Sequence, residues 1–201
     1  MDATDPTAGL RTQRRLQRAP DFTGPRLSRF REVFLRHGLP VLLVALIVVA
    51  LPELRALLGT YLEPTLRAPI RHALLGFGAF ALILTLSVRV GLDRMQLAWA
   101  LYLGALSIWE EWVFRLVLPF ALTGFFDARW QAVLLANALF GALHYFTLRW
   151  RLRWCVFAFA GGVGLSWQLR QGDFTIVALT HWVATFINTP RPPSPRPPPR
   201  T

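Results

Sequence analysis

The sequence predicts an all-α, polytopic transmembrane bundle of about six spans, and three observations carry that prediction. Hydrophobic residues make up 54% of the 201, and the mean hydropathy is +0.40, too apolar for a soluble domain of this length. Apolar runs of membrane-spanning length recur along the chain. The net charge of +11 is carried by arginine without a single lysine, and most of it falls outside those runs, where it reports topology.

Taken in order, residues 1–36 form an arginine-rich tail with several Pro and Gly, expected at the cytoplasmic surface. The first apolar run begins too late for a cleavable leader and should stay as an anchor. The expected core, residues 37–189, holds runs over 37–58, 70–88, 95–126, 130–148, 154–169 and 174–187. The third run is too long for one upright helix in a hydrocarbon core about 30 Å thick, so it must tilt or break. The preferred reading has residues 95–105 lie along the cytoplasmic interface or re-enter and starts the span near Leu106, which brings Glu110 to the depth of His144 on the next, antiparallel helix. Residues 190–201 form a Pro/Arg tail, expected to be extended. The arginine bias places both termini in the cytoplasm. Nucleic acid is excluded as a partner, because the arginines flank spans and form no patch interleaved with aromatics. The single cysteine, Cys155, allows no internal disulfide and is expected to pack.

Charged residues inside an apolar span are costly and mark function. Trp109-Glu110-Glu111-Trp112-Val113-Phe114-Arg115 places three of them in the third run. At about 100° per residue, Arg115 lies about 40° from Glu111 but about 140° from Glu110. Glu111 and Arg115 therefore read as a structural pair, and Glu110 as a carboxylate without that partner, free to exchange protons. Phe140-Gly-Ala-Leu-His144 puts an imidazole on the fourth run, with Asn137 two turns back. His181 lies mid-helix in the sixth, with Thr185 and Asn188 on its stripe. Trp109, Trp112 and Gly161-Gly162-x-Gly164 read as packing, and His37 and His72 as peripheral and interfacial.

Glu-Glu-x-x-x-Arg, Phe-x-x-x-His and a later His, in that order over residues 107–188, resemble the CAAX-protease and bacteriocin-processing family of intramembrane endopeptidases, which includes the type II CAAX prenyl endopeptidase. The resemblance implies that Glu110 and His144 activate water and that His181 helps hold the oxyanion. The residue four positions after the last histidine is usually Asn or Asp in that family and is Thr185 here, so either Thr185 or Asn188 takes its place. It further implies a membrane-anchored or C-terminally tagged protein substrate, such as a prenylated C-terminus, a peptide leader or a C-terminal sorting anchor. The expected location is a cell membrane, the inner membrane for a bacterial protein.

The chemistry is coherent without the name. Peptide hydrolysis needs a base for water, donors for the oxyanion and an acid for the leaving amine. The expected reaction needs no cofactor; a competing scheme makes Glu110, His144 and His181 ligands of a divalent metal such as zinc. No HExxH is present, and no carboxylate is left over to act as base once Glu111 is paired with Arg115, which favours the metal-free scheme. A transporter would line a route across the membrane with such residues, and a non-catalytic scaffold would keep them for packing alone.

Overall fold

The computed structural model of the protein describes Leu27 and residues 29–193, so most of the expected N-terminal tail and residues 194–201 lie outside the described residues. Among the described residues the chain is all helical. The helices are α1 (Phe30–Ala50), α2 (Pro52–Arg67), α3 (Pro69–Val90), α4 (Arg94–Glu111), α5 (Arg129–Thr147), α6 (Leu152–Leu169) and α7 (Phe174–Asn188). The line of α4 continues through a π-turn over Trp112–Val117 and a last α-turn over Leu118–Leu122.

Three expected boundaries move. Helix α1 begins at Phe30, inside the stretch expected to be tail, and ends at Ala50, eight residues short of the expected 58. Leu51 precedes Pro52, whose ring disfavours helix in the residue before it, and Leu51 is extended at φ −81°, ψ 123°. Pro52 then opens α2 at a position where its missing N–H costs nothing. The third change is that residues 95–105 are not a segment separate from the helix that carries Glu110. Asp93 caps α4 by accepting from the Gln96 amide at 2.7 Å, and the helix runs on past residue 105. Its first turns do not lie apart from the bundle but against the end of α7, where Gln96 and Trp99 donate to the carbonyls of Pro190 and Thr189.

Glu110 nevertheless meets His144, because the relevant depth is measured from the hairpin that joins α4 and α5. Glu110 lies 12 residues before Leu122, and His144 lies 15 residues after Arg129. At about 1.5 Å per residue these distances are about 18 and 22 Å, so the pair shares a level with α4 unbroken.

The outside of the bundle is apolar, and a group of polar side chains lies buried among the apolar ones of its interior. Leu43, Ile47, Ile70, Phe77, Phe157 and Trp167 are each at least half exposed. His37, Glu110, Glu111, Arg115, Asn137, His144 and His181 are buried. Helices α1 and α3 are long and apolar enough to cross a membrane. The buried apolar side chains form two clusters, one around Trp112, Phe114, Phe140 and Val177, the other around Ile83, Trp99, Tyr102 and Phe186. Trp109 and Leu143 pack against both, so the seam between the clusters falls at the level of their neighbours Glu110 and His144. Cys155 is buried and free, as expected of a packing residue.

Candidate active site

Four helices bring the site together. Glu110 and Glu111 end the regular part of α4, immediately before the π-turn, a local widening that often accompanies functional positions. The expected pair forms across that turn, with Arg115 Nη2 3.3 Å from Glu111 Oε1. The contact is an ion pair rather than an aligned hydrogen bond. The guanidinium also lies 4.1 Å from the centre of the Phe140 ring, whose face offers the cation a second partner. Gly162 of α6 makes room for this group, since a side chain there would run into Asn137 Oδ1 and Arg115 Nη2. Of the three glycines expected to allow close packing only Gly162 does so; Cβ atoms at Gly161 and Gly164 would meet open space, and both line the cavity described below.

Glu110 is not unpartnered, which corrects the expectation from helical angle. Its Oε1 lies 2.7 Å from Nε2 of His37, a residue expected to be peripheral and in fact fully buried on α1. The helical wheel of α4 could rule out Arg115 as a partner for Glu110, but it carries no information about another helix. Around the same carboxylate stand His144, with Nε2 3.9 Å from Oε1, and His181, with Nε2 3.7 Å from Oε2. Among the described residues nothing donates a hydrogen bond to Glu110 Oε2. The three expected residues are thus side by side.

Hydrogen-bond directions settle which ring nitrogens carry protons. His144 Nδ1 lies 2.8 Å from the Phe140 carbonyl, which can only accept, so Nδ1 is protonated. In the neutral ring Nε2 then presents a lone pair towards Glu110. His181 Nδ1 lies 2.6 Å from Glu111 Oε1 in an off-line contact, which turns its Nε2 towards Glu110. Phe140 holds both rings edge-on, with centroids 4.5 Å from His144 and 5.9 Å from His181. Trp150, in the turn after α5, covers His144 from the other side at 4.6 Å.

The group opens on a cavity of about 660 Å³, within the usual range for a ligand site. His37, Glu110, His144, His181, Thr185 and Asn188 all contribute to its wall. The two candidate oxyanion donors differ. Asn188 is exposed and spends its side-chain amide on the Ala184 carbonyl at 2.8 Å. Thr185 is only half-buried, and its hydroxyl is not engaged in that way. Asn137 lies behind the site, donating to Val133 O and to Ser166 Oγ at 2.8 and 2.9 Å.

The donor atoms of His37, Glu110 and His144 lie within 4.8 Å of one another, a spacing that a small cation could draw together. That trio differs from the His144, His181 and Glu110 set expected for a metal. Its His37–Glu110 edge is already closed at hydrogen-bond length.

Sequence reasoning missed His37, Thr147 and Trp150. For His37 a signal existed: Val33, Val41, Ala45 and Val48 are the buried residues of α1, and His37 occupies the same stripe. Leu35, Leu43, Val44, Leu46 and Ile47 on the opposite side are exposed. A histidine on the small-residue stripe of an apolar helix points inward.

Residues 92–187 match the family model described as type II CAAX prenyl endopeptidase Rce1-like. The matched stretch holds Glu110, His144 and His181 and agrees with the resemblance drawn from the motifs. The members of that family are membrane proteins. No curated protein and no solved structure matches the chain.

Proposed function

We propose that the protein is an intramembrane endopeptidase that hydrolyses a peptide bond of a membrane-associated protein substrate with water activated by Glu110 and His144. The observation that carries this reading is the grouping of the Glu110 carboxylate with the inward-facing Nε2 atoms of His144 and His181 on the wall of one cavity. Water bound between Glu110 and His144 Nε2 gives its proton to the carboxylate as its oxygen attacks the scissile carbonyl. His181, with Thr185 beside it, faces the oxyanion that forms, and Glu110 returns the proton to the leaving amine. Glu111 and Arg115 hold the site from behind. The carboxylate and two imidazoles supply base, acid and donor without a metal, so exhaustive chelation should leave turnover unchanged. Loss of turnover restored by zinc would reassign Glu110 and the histidines as ligands.

In this reading α1 and α3 to α7 cross the membrane, α2 lies between the first two spans on the far side, and both termini face the cytoplasm. The six crossing helices then contain every residue of the site. A reporter fused after Phe126 or Gly172 should mark the non-cytoplasmic side; a cytoplasmic signal at either would reverse the topology. The activity is tested by comparing membrane proteomes of cells carrying the wild type or Glu110→Ala. Proteins that fail to mature only in the variant are the expected outcome and would reveal the substrate among prenylated C-termini, leaders and sorting anchors. Identical proteomes would end the protease reading.

A further inference from the structure

The histidine on α1 lies outside the matched residues 92–187, yet it makes the shortest contact to Glu110. Its protonation follows from a chain of one-way acceptors. Thr147 Oγ1 lies 2.6 Å from the Leu143 carbonyl, so the hydroxyl hydrogen is spent there. Facing His37 Nδ1 at 2.7 Å, the same oxygen has only lone pairs left, so Nδ1 must carry a hydrogen. The opposite nitrogen, Nε2, lies 2.7 Å from Glu110 Oε1. A bare nitrogen against a bare carboxylate at that distance would be repulsive, so a further proton lies on the line between them. The pair thus holds one proton whichever side it rests on.

The placement of His37 is built into the fold. Residues 34–38 form a π-turn, and Gly38 brings α1 against Tyr102 of α4 so closely that a Cβ would lie 2.7 Å from the Tyr102 hydroxyl. The neighbouring Arg36 donates to the carbonyls of Phe146 and Thr147, satisfying the end of α5. Two consecutive residues of α1 therefore grip α5 and reach α4 together. Among the described residues, the charged and titratable groups facing His37 are Glu110 on α4 and His144 on α5, the latter at 5.0 Å between ring centroids.

We propose that His37 is a positioning residue for the catalytic carboxylate: by occupying Glu110 Oε1 with a proton-bearing hydrogen bond anchored on Thr147, it leaves Oε2 as the oxygen that takes the proton from water. The role rests on the protease reading, but its geometry does not. The proton on the His37 side is not consumed. Oε2 gains one proton from water and gives it to the amine, and the carboxylate returns to its starting state.

The test uses full-length protein labelled with ¹⁵N-histidine in lipid nanodiscs. His37 Nδ1 should report a proton of its own in the wild type and Nε2 one shared with Glu110, and Glu110→Gln should keep Nδ1–H and leave Nε2 bare. Thr147→Val should disturb the His37 Nδ1 signal and Thr147→Ser should restore it. A wild-type His37 with a bare Nδ1, or one insensitive to Glu110→Gln, would overturn the proposal. In cells, His37→Leu should slow maturation of the Glu110-dependent proteins about 100-fold, the cost of misplacing a reacting group by about 1 Å. His37→Gln, whose amide can still donate to Oε1, should recover part of it, and equal activity in all three would also overturn the role. Should the Leu variant fail to fold, Gly38→Ala takes its place, because pushing α1 off Tyr102 should uncouple His37 from Glu110 in the same spectra. If Glu110→Gln cells accumulate no precursor, the protease reading fails and the nitrogen signals still decide the contact.

Discussion

Among the described residues two buried histidine–carboxylate hydrogen bonds have almost equal length, His37–Glu110 at 2.7 Å and His72–Asp173 at 2.8 Å, and only one of them has the makings of a catalytic centre. In both, the remote ring nitrogen is fixed by an acceptor, Thr147 Oγ1 for His37 and the Ala68 carbonyl for His72. The carboxylates differ. Asp173 Oδ1 caps α7 by accepting from the Ile176 amide, and Oδ2 takes both His72 and Arg71. Nearby, Thr65 and Thr175 hydroxyls meet at 2.6 Å and tie α2 to the same turn. Every oxygen there is engaged, so the group is a clamp that seats the start of α7. Glu110 Oε2 accepts no hydrogen bond among the described residues, and the Nε2 atoms of His144 and His181 stand nearly 4 Å from the carboxylate on the wall of a cavity. The expectation that His72 is interfacial and unremarkable is therefore corrected to a structural role. Burial and pairing alone do not identify a site; an acceptor left open towards a cavity does.

The largest effect expected from this contrast is on turnover. Glu110→Gln should lower processing by about 10²- to 10⁴-fold with an unchanged melting temperature, because the amide keeps the shape but cannot act as a base. Asp173→Asn should do the opposite, lowering the melting temperature and leaving processing in place. If the two variants behave alike, the distinction between clamp and site fails.

Next in size is the pair behind the site. Glu111→Gln or Arg115→Met alone strands a charge in a dry interior and should cost about 3 to 5 kcal/mol in detergent unfolding. The double variant should recover much of that loss, since neither charge remains. Additive losses would mean that the pair is not coupled.

The smallest effect separates Thr185 from Asn188. Thr185→Ala should raise the barrier by about 3 kcal/mol if its hydroxyl serves the oxyanion. Asn188→Ala should change turnover little, because its amide is already committed to Ala184. Single-turnover rates of the two variants would decide, and the reverse ranking would assign the oxyanion to Asn188.

How much of this was legible without coordinates depends on the range of each interaction. Local periodicity determined the Glu111–Arg115 pair, the stripe that carries His181 and Thr185, and the helical class of the chain, because residues three and four apart on one helix meet wherever that helix lies. The order of Glu110, His144 and His181 along the chain also carried the resemblance to the family whose model matches residues 92–187. Tertiary structure alone decided what faces Glu110. His37 is 73 positions away, and its approach depends on a π-turn, on the absence of a side chain at Gly38 and on Arg36 reaching the end of α5. It decided as well that α4 could run unbroken, since the level shared by Glu110 and His144 is set by the hairpin between their helices. Contacts between helices depend on crossing and register, which no periodicity within a single helix encodes.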